Sequence, residues 1–132
     1  NLMASLNEQF GITFVYITHD LATARYFAQK GRIAVMYLGQ IVEMGPLGRV
    51  LENPRHPYLQ ALLTAVPVPD PDIARQHHEL PLRSLDLPDP ANAPSGCRFH
   101  TRCPYWKDIC AHEIPPLEPI EEDHYVACHL VR

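Results

Sequence analysis

The sequence predicts a partial α/β fold that is followed by a proline-rich extension and a small cysteine-rich tail. Three observations lead to this prediction. A helical pattern, a short apolar run and a second helical pattern follow one another up to residue 31, which is the order of an α/β unit. Prolines become frequent between residues 67 and 94. All four cysteines come after that stretch.

The first three elements can be placed from periodicity. Apolar residues at helical spacing predict a helix that ends near Phe10, with Gly11 as its left-handed cap. Residues 12–18 are a continuous apolar run rich in β-branched and aromatic side chains, which is typical of a strand buried on both faces of a parallel sheet. A second helix is expected from Leu21 and is closed by Gly31.

Residues 32–45 predict a small β-hairpin. Two short apolar stretches flank a tight turn that we place at Gly39 and Gln40. Three residues are expected to face inward: Ile33, Val35 and Ile41.

Two short helices are expected next. Pro46 suits the first turn of a helix that runs through Leu51 and is stopped by Asn53 and Pro54. Pro57 suits the same position in a second helix, with His56 as its cap. The predicted inner face of this helix carries Tyr58, Leu62 and Val66. Helix initiation is the favoured role of His56, and a docking surface for a partner is the alternative.

The proline-rich stretch defines the domain organisation. Seven prolines between residues 67 and 94 cannot support a packed core, so we expect an extended linker or strap. Within it, His77 and His78 are expected to be solvated linker residues. We place a boundary near Ser95 and divide the chain into three segments: 1–52, 53–95 and 96–132.

Composition excludes several classes of function. The 132 residues carry a net charge of −4, which excludes a basic nucleic-acid-binding platform. No run approaches the roughly 20 apolar residues that cross a bilayer, and the start lacks the layout of a secretory signal. We therefore expect a cytoplasmic chain. Because a helical pattern is already under way at Asn1, we also expect a fragment of a longer protein.

The four cysteines are the strongest chemical signal. Cys97, Cys103, Cys110 and Cys128 are separated by five, six and seventeen residues. A cytoplasmic chain favours a metal site over disulfides. Four thiolates suit tetrahedral Zn²⁺ and a cubane iron–sulfur cluster equally well.

Other residues could modify this site. Basic side chains between the first three cysteines would offset the negative charge of a thiolate-bound centre: Arg98, His100, Arg102 and Lys107. A solvated basic loop is the alternative. His129 is a further candidate ligand, ranked below the cysteines.

His19 is the second chemical candidate. It directly follows the predicted strand, at the carboxyl end where α/β proteins keep ligand-facing groups. An ordinary loop histidine is the alternative.

Three sequence motifs resemble one family. Residues 14–45, with His19 in an ITHD context, are similar to the end of the nucleotide-binding domain of ABC transporters. Residues 53–67 (NPRHPYLQALLTAVP) are similar to the C-terminal extension of the ATP-binding subunits of oligopeptide and dipeptide importers. GCRFHTRCPYWKDIC, followed by ACHL, resembles the cysteine-containing tail of the same subunits.

This resemblance implies a catalytic role for His19. In the family, this histidine contacts the γ-phosphate of ATP held between two ATP-binding subunits, and one well-placed donor matters greatly in phosphoryl transfer. Asp20 is expected to cap the following helix. The chain has no G-x-x-x-x-G-K-[ST] phosphate loop. The phosphate loop (Walker A), the signature sequence and the Walker B region with the catalytic glutamate are expected upstream of Asn1, so the chain should not hydrolyse ATP alone.

The resemblance also implies cofactors and partners. The intact enzyme would use ATP and Mg²⁺ and work with a second ATP-binding subunit and two membrane permease subunits, on the inner face of the cell membrane. It would import oligopeptides or dipeptides, although nickel is not excluded. The tail is expected to hold a [4Fe-4S] cluster with a structural role, with redox sensing as the sharper hypothesis. With the sheet neighbours of residues 12–18 expected upstream, non-native self-association is expected. An independent metal-binding interaction module is the alternative function.

Overall fold

A computed structural model of the chain describes residues 2–65 and 80–131. Its helices and strands are, in chain order, α1 Leu2–Phe10, α2 Leu21–Phe27, β1 Arg32–Tyr37, β2 Gln40–Pro46, α3 Leu47–Glu52, α4 Pro57–Thr64, a 3-10 turn Pro90–Asn92, α5 Asp108–His112, β3 Glu118–Glu121 and β4 His124–Val126. Helices and an antiparallel sheet are thus combined in this fold.

The first two helices form where local signals place them. Helix α1 ends at Phe10, and Gly11 follows with a φ of 65°, as predicted. Asp20 caps α2 by accepting from the backbone N–H groups of Ala22 at 2.9 Å and Thr23 at 3.1 Å. Helix α2 ends at Phe27, before the predicted stop at Gly31.

The predicted buried parallel strand at residues 12–18 is wrong. These residues form no strand and are all exposed, with Val15 at 91% and Ile17 at 93% exposure. A strand in a parallel sheet depends on hydrogen bonds from its neighbours. Among residues 2–65 and 80–131 the strand pairings are all antiparallel, so no parallel partner is present for this run.

The β-hairpin is confirmed. Strands β1 and β2 pair antiparallel, and the turn lies at Leu38 and Gly39, one residue earlier than predicted. Both turn residues have positive φ, 45° and 79°. Such a backbone matches the twist of a two-residue hairpin, and glycine adopts it without a Cβ clash.

The inward-facing residues of the hairpin are partly as predicted. Val35 is buried and Ile33 packs against the core. Ile41 is 37% exposed, so its predicted inward position is wrong. The register shifts between Val35 and Met36, and Val42 is buried instead, because a one-residue shift exchanges the two faces of a strand.

Residues from the tail complete the sheet. Strand β4 pairs with β2, placing Val126 opposite Glu43 and Tyr125 opposite Met44, and the strand order is β1-β2-β4-β3. Neither β3 nor β4 was predicted from the sequence. The sheet therefore runs across the predicted boundary near Ser95 and joins the tail to the hairpin.

The core lies where the hairpin, helices α3 and α4, and the tail meet. Phe99, from the tail, is 1% exposed, and its ring centroid lies 5.3 Å from that of Tyr37 and 5.5 Å from that of Tyr58. Leu59 and Val50 are fully buried beside it. The extension and the tail thus bury their apolar side chains in one shared core.

Helices α3 and α4 begin close to the predicted positions. Pro46 is the residue before the first turn of α3, one position earlier in the helix than expected. Helix α4 begins at Pro57, and the side chain of His56 caps it by accepting from the Tyr58 N–H at 3.1 Å, as predicted. Val66, His77, His78 and the first part of the proline-rich stretch lie outside the described residues.

Candidate functional site

His19 lies in an exposed position at the start of α2. It follows the extended residues 12–18 and immediately precedes the capping Asp20. The backbone N–H of Asp20 also donates to the Thr18 hydroxyl at 3.0 Å. The turn into α2 is therefore ordered by side-chain bonds while the imidazole of His19 faces solvent.

The four cysteines are placed by three different elements. Cys97 and Cys103 flank the turns around the buried Phe99, Cys110 lies in α5, and Cys128 follows β4. The Cys97 N–H donates to the Cys110 carbonyl at 2.8 Å, and the Cys103 N–H donates to the Phe99 carbonyl at 2.9 Å. The backbone thus joins Cys97 to Cys110, whereas Cys103 closes the turn that begins at Phe99.

Gly96 allows this close approach. Its φ is 62°, and a Cβ atom built on it would lie 2.5 Å from the Cys110 carbonyl oxygen. A side chain at this position would clash with the backbone of α5. Glycine is therefore required to bring Cys97 beside Cys110.

None of the four cysteines is joined in a disulfide. Burial raises the pKa of Cys97, of Cys103 to about 11, and of Cys128. Negative charge on other cysteines raises each of these three pKa values further. Together these interactions connect every two of the four cysteines. Burial and the charge of neighbouring thiols thus favour the neutral form of Cys97, Cys103 and Cys128.

Backbone N–H groups point at the sulfur atoms. The Lys107 N–H lies 3.5 Å from Cys110 Sγ, and N–H groups that follow each of the other three cysteines also lower its thiol pKa, although less than burial raises it. Such bonds stabilise thiolates and tune thiolate-bound metal centres.

The fit to a single metal ion is poor. Within residues 2–65 and 80–131, no three His, Cys, Asp or Glu side chains converge to hold one ion. The donor chemistry suits a thiolate-bound group, but the sulfur atoms do not meet at one point. One ion bound by four thiolates needs them at its first coordination distance.

The basic residues near the cysteines bond to main-chain carbonyls. Arg98 donates to the Leu38 carbonyl and Arg102 donates to that of Ser84 at 3.4 Å. His129 Nε2 lies 2.9 Å from the Glu113 carbonyl. The two arginine bonds connect the tail to the hairpin and to the strap.

A buried polar network that the sequence analysis missed joins the sheet to the turn before α4. Glu43 and His124 are both fully buried, and His124 Nε2 lies 2.7 Å from Glu43 Oε1. Glu43 also accepts from the backbone N–H groups of Arg55 and His56. The signal in the sequence was the single acidic residue within the apolar run of β2.

His56 is kept neutral by its surroundings. It is 1% exposed, and burial lowers its pKa to about 4, because desolvation disfavours the charged imidazolium. Its ring lies 5.9 Å from that of Phe99. The capping histidine of α4 is therefore also a core residue.

Helices long and apolar enough to cross a membrane are absent from the two described ranges, residues 2–65 and 80–131.

Comparison with known proteins identifies the family. The family described as "Oligopeptide/dipeptide transporter, C-terminal region" matches residues 42–110, a range that includes most of β2, helices α3 and α4, and three of the four cysteines. The chain belongs to this family. The predicted resemblance to ATP-binding subunits of peptide importers is thereby confirmed.

Similar proteins carry matching names. The probable peptide ABC transporter ATP-binding protein y4tS of Sinorhizobium fredii is 47% identical over 130 residues, covering 98% of this chain and 35% of that protein. The oligopeptide transport ATP-binding protein AppF of Bacillus subtilis is 44% identical, covering 98% of this chain and 39% of that protein. The putative oligopeptide transport ATP-binding protein YkfD of Bacillus subtilis is 42% identical, with 100% and 39% coverage. The chain thus spans little more than a third of these relatives.

Proposed function

We propose that this chain is the C-terminal part of the ATP-binding subunit of an ABC importer that couples ATP hydrolysis to the uptake of oligopeptides or dipeptides. The match of residues 42–110 to the family carries this proposal. The same residues form β2, both short helices and much of the shared core. The proposal therefore rests on the folded body of the chain as well as on short motifs.

The proposed assembly contains a second ATP-binding subunit and two membrane permease subunits, with this chain on the inner face of the cell membrane. Exposed apolar residues in and beside the first two helices support further contacts. Val15 and Ile17 are almost fully exposed, and Tyr16 contacts Phe27 with both rings still partly exposed. Such a surface is typical of a face that another polypeptide covers.

His19 is the proposed switch histidine that contacts the γ-phosphate of ATP. Its exposed position before a capped helix leaves the imidazole free to donate to a phosphate oxygen. ATP and Mg²⁺ would bind in the longer protein, where Mg²⁺ neutralises developing charge on the phosphates. The chain itself has no phosphate loop, and we propose that it does not hydrolyse ATP alone.

The test of this function uses the intact subunit reconstituted with its permeases. His19→Ala should lower ATP hydrolysis by about 10² to 10³, the effect of removing one transition-state donor. His112→Ala is the matched control, since His112 is an exposed histidine of the tail, and it should leave the rate unchanged. Full ATPase activity in His19→Ala, or ATP hydrolysis by the 132-residue chain alone, would contradict the proposal.

The proposed ligands of a [4Fe-4S] cluster are Cys97, Cys103, Cys110 and Cys128. Two features support it: the tail supplies four cysteine thiols, and the Lys107 N–H lies 3.5 Å from Cys110 Sγ. When bound, the cluster supplies four iron–thiolate bonds that stabilise the fold of the tail. We propose this structural role.

Metal analysis of protein purified without oxygen tests the cluster. About four iron and four sulfide per chain are expected for a cubane, and Cys128→Ser should lower both. His129→Ala is the control and should retain them, because the ring of His129 is bonded to the Glu113 carbonyl. About one zinc without sulfide would replace the cluster by a zinc site. If the protein contains neither iron nor zinc, both the cluster and the zinc site are contradicted.

A further inference from the structure

The carboxylate of Glu43 is shared by two parts of the chain that are far apart in sequence. It lies in β2 with no exposure. Glu43 Oε2 accepts from the His56 N–H at 2.7 Å, and both oxygens face the Arg55 N–H at 3.0 and 3.1 Å. Its Oε1 bonds to His124 Nε2 at 2.7 Å. One buried group therefore holds residues 53–56, which we name the α3–α4 turn, and strand β4.

Burial makes these attachments depend on one another. A carboxylate removed from water is stable only when its oxygens are hydrogen-bonded, and the loss of one donor leaves an uncompensated buried charge. His124 has the same dependence, because its Nδ1 is buried without a partner and Glu43 provides the hydrogen bond of its ring. Displacing β4 would thus weaken the attachment of the α3–α4 turn, and displacing the α3–α4 turn would weaken the attachment of β4.

Exposed arginines add a second layer around the β3–β4 turn. They reach it from β1, α3 and the α3–α4 turn through three contacts: Arg32 to Asp123 at 3.1 Å, Arg49 to the Glu122 carbonyl, and Arg55 to Glu121 at 3.3 Å. Exposed ion pairs of this kind contribute little individually. The buried carboxylate is therefore the group expected to dominate the attachment of β4.

Strand β4 leads directly to the last cysteine. The Ala127 N–H donates to the Val42 carbonyl at 2.9 Å, and Cys128 follows it. Cys128 is the one cysteine placed by the sheet, whereas the other three lie in the turns and helix α5. Its position relative to them therefore depends on how β4 docks.

We propose that Glu43 is a positioning residue of the four-cysteine site, which holds Cys128 in place through His124 and couples that position to the α3–α4 turn. This inference rests on the proposed function only in treating the four thiols as one site. The coupling is reciprocal, as any coupling between two sites must be. Glu43 is thus expected to dominate the coupling between the cysteines and the start of α4.

The test compares His124→Leu with His124→Gln in the reduced, metal-free 132-residue chain. Leucine removes the donor, whereas glutamine can still donate to Glu43. In His124→Leu, native-state alkylation of Cys128 should accelerate at least about tenfold relative to Cys97, as expected for a local opening. Amide exchange at Arg55 and His56 should rise with it, and glutamine should restore both. The control Glu121→Gln removes only an exposed ion pair and should change neither rate.

Three results would overturn the proposal. They are an unchanged rate for Cys128 in His124→Leu, an equal rise for all four thiols, and unchanged exchange at Arg55 and His56. If His124→Leu does not fold, the coupling is tested by measuring amide hydrogen exchange of the unmodified chain at a series of denaturant concentrations. The amides of Arg55, His56 and β4 should then open together with the same denaturant dependence, and separate openings would contradict the coupling.

The two proposals can fail separately. The thiol and amide measurements use metal-free protein, whereas the cluster is tested by iron and sulfide in protein purified without oxygen. If Cys128 responds as predicted but protein purified without oxygen contains no iron, only the cluster is rejected. About four iron per chain with no Cys128 response in His124→Leu would reject only the positioning role of Glu43.

Discussion

The two ends of this chain show how differently apolar residues can be used. Residues 2–27 contain two helices and an apolar run, yet α2 has no buried residue, and Val15 and Ile17 are almost fully exposed. Residues 32–65 and 80–131, which we name the packed region, bury Phe99, Leu59 and Val50 around a four-stranded sheet.

The difference follows from where each element finds its backbone hydrogen-bond partners. Helix α2 finds them in its own residues and in the cap at Asp20, so it needs no neighbouring strand. A strand needs a neighbour, and residues 12–18 have none within the described ranges. Contact of the first segment with the core is made through partly buried residues such as Leu21. We expect mutations in the two regions to differ sharply in effect.

The largest expected difference is between two phenylalanines. Phe99→Ala should destabilise the packed region by about 3–5 kcal/mol, the usual cost of deleting a buried ring. Phe14→Ala, at a ring that is 40% exposed, should change it by less than about 0.5 kcal/mol. Urea unfolding can be followed by the fluorescence of Trp106, the single tryptophan, which Arg83 covers at 4.0 Å. Equal effects of the two substitutions would remove the distinction between the regions.

Acid should weaken the packed region through His56. Its folded-state pKa of about 4 lies below the unfolded value near 6.5. Its contribution is therefore fully present above pH 6.5 and is lost as the pH falls through 4, by about 3 kcal/mol in total. His56→Asn retains a capping side chain. In this variant the urea midpoint should depend less on pH between pH 6.5 and 4. An unchanged slope in this variant would assign the acid sensitivity to other groups.

Two glycines with nearly the same backbone conformation allow a third comparison. Gly96→Ala forces a left-handed alanine at φ 62° against the Cys110 carbonyl, 2.5 Å from the new Cβ, and should cost at least about 2 kcal/mol. Gly11→Ala has φ 65° but nothing within 4 Å. The Trp106 midpoint should fall only in Gly96→Ala. A similar fall in both variants would show that the first helix is part of the same cooperative unit.

The smallest expected effect is at the cap of α2. Asp20→Ala removes the acceptor of two backbone N–H groups, so amide exchange at Ala22 and Thr23 should accelerate while the Trp106 midpoint stays constant. The pKa of Asp20 is lowered, mainly by its hydrogen bond from the Thr23 hydroxyl. In the unmodified chain this protection should therefore be complete above the ordinary pKa of aspartate and disappear at lower pH. Asn at position 20 should retain part of it.

What the sequence could predict was decided by distance along the chain. Helix α4 was located correctly because His56, Pro57 and the Tyr58 N–H are adjacent. The bond between Glu43 and His124 joins residues 81 positions apart, and no local pattern indicates it. Strand β4 has three residues and β3 contains Pro119, so neither shows the alternation by which strands are recognised.

The candidate site follows the same rule. The cysteines could be singled out by residue type, and the structure joins Cys97 to Cys110 by a backbone hydrogen bond of 2.8 Å. Their metal and the role of His19 stay predictions. The dependence of Cys128 on the sheet could not be foreseen, because it requires the pairing of β2 with β4.

The strand order β1-β2-β4-β3 also has a consequence for biosynthesis. A ribosome produces β2 long before β4. During translation the edge of β2 is therefore unpaired, and the carboxylate of Glu43 lacks its bond to His124, until β4 has been made. Through that interval the hairpin is a nascent chain with an open edge, which is the kind of surface that chaperones bind and that misassembles when translation is aborted. A message truncated between the codons of Cys110 and His124 would therefore yield a product in which β2 lacks β4 and Glu43 lacks His124.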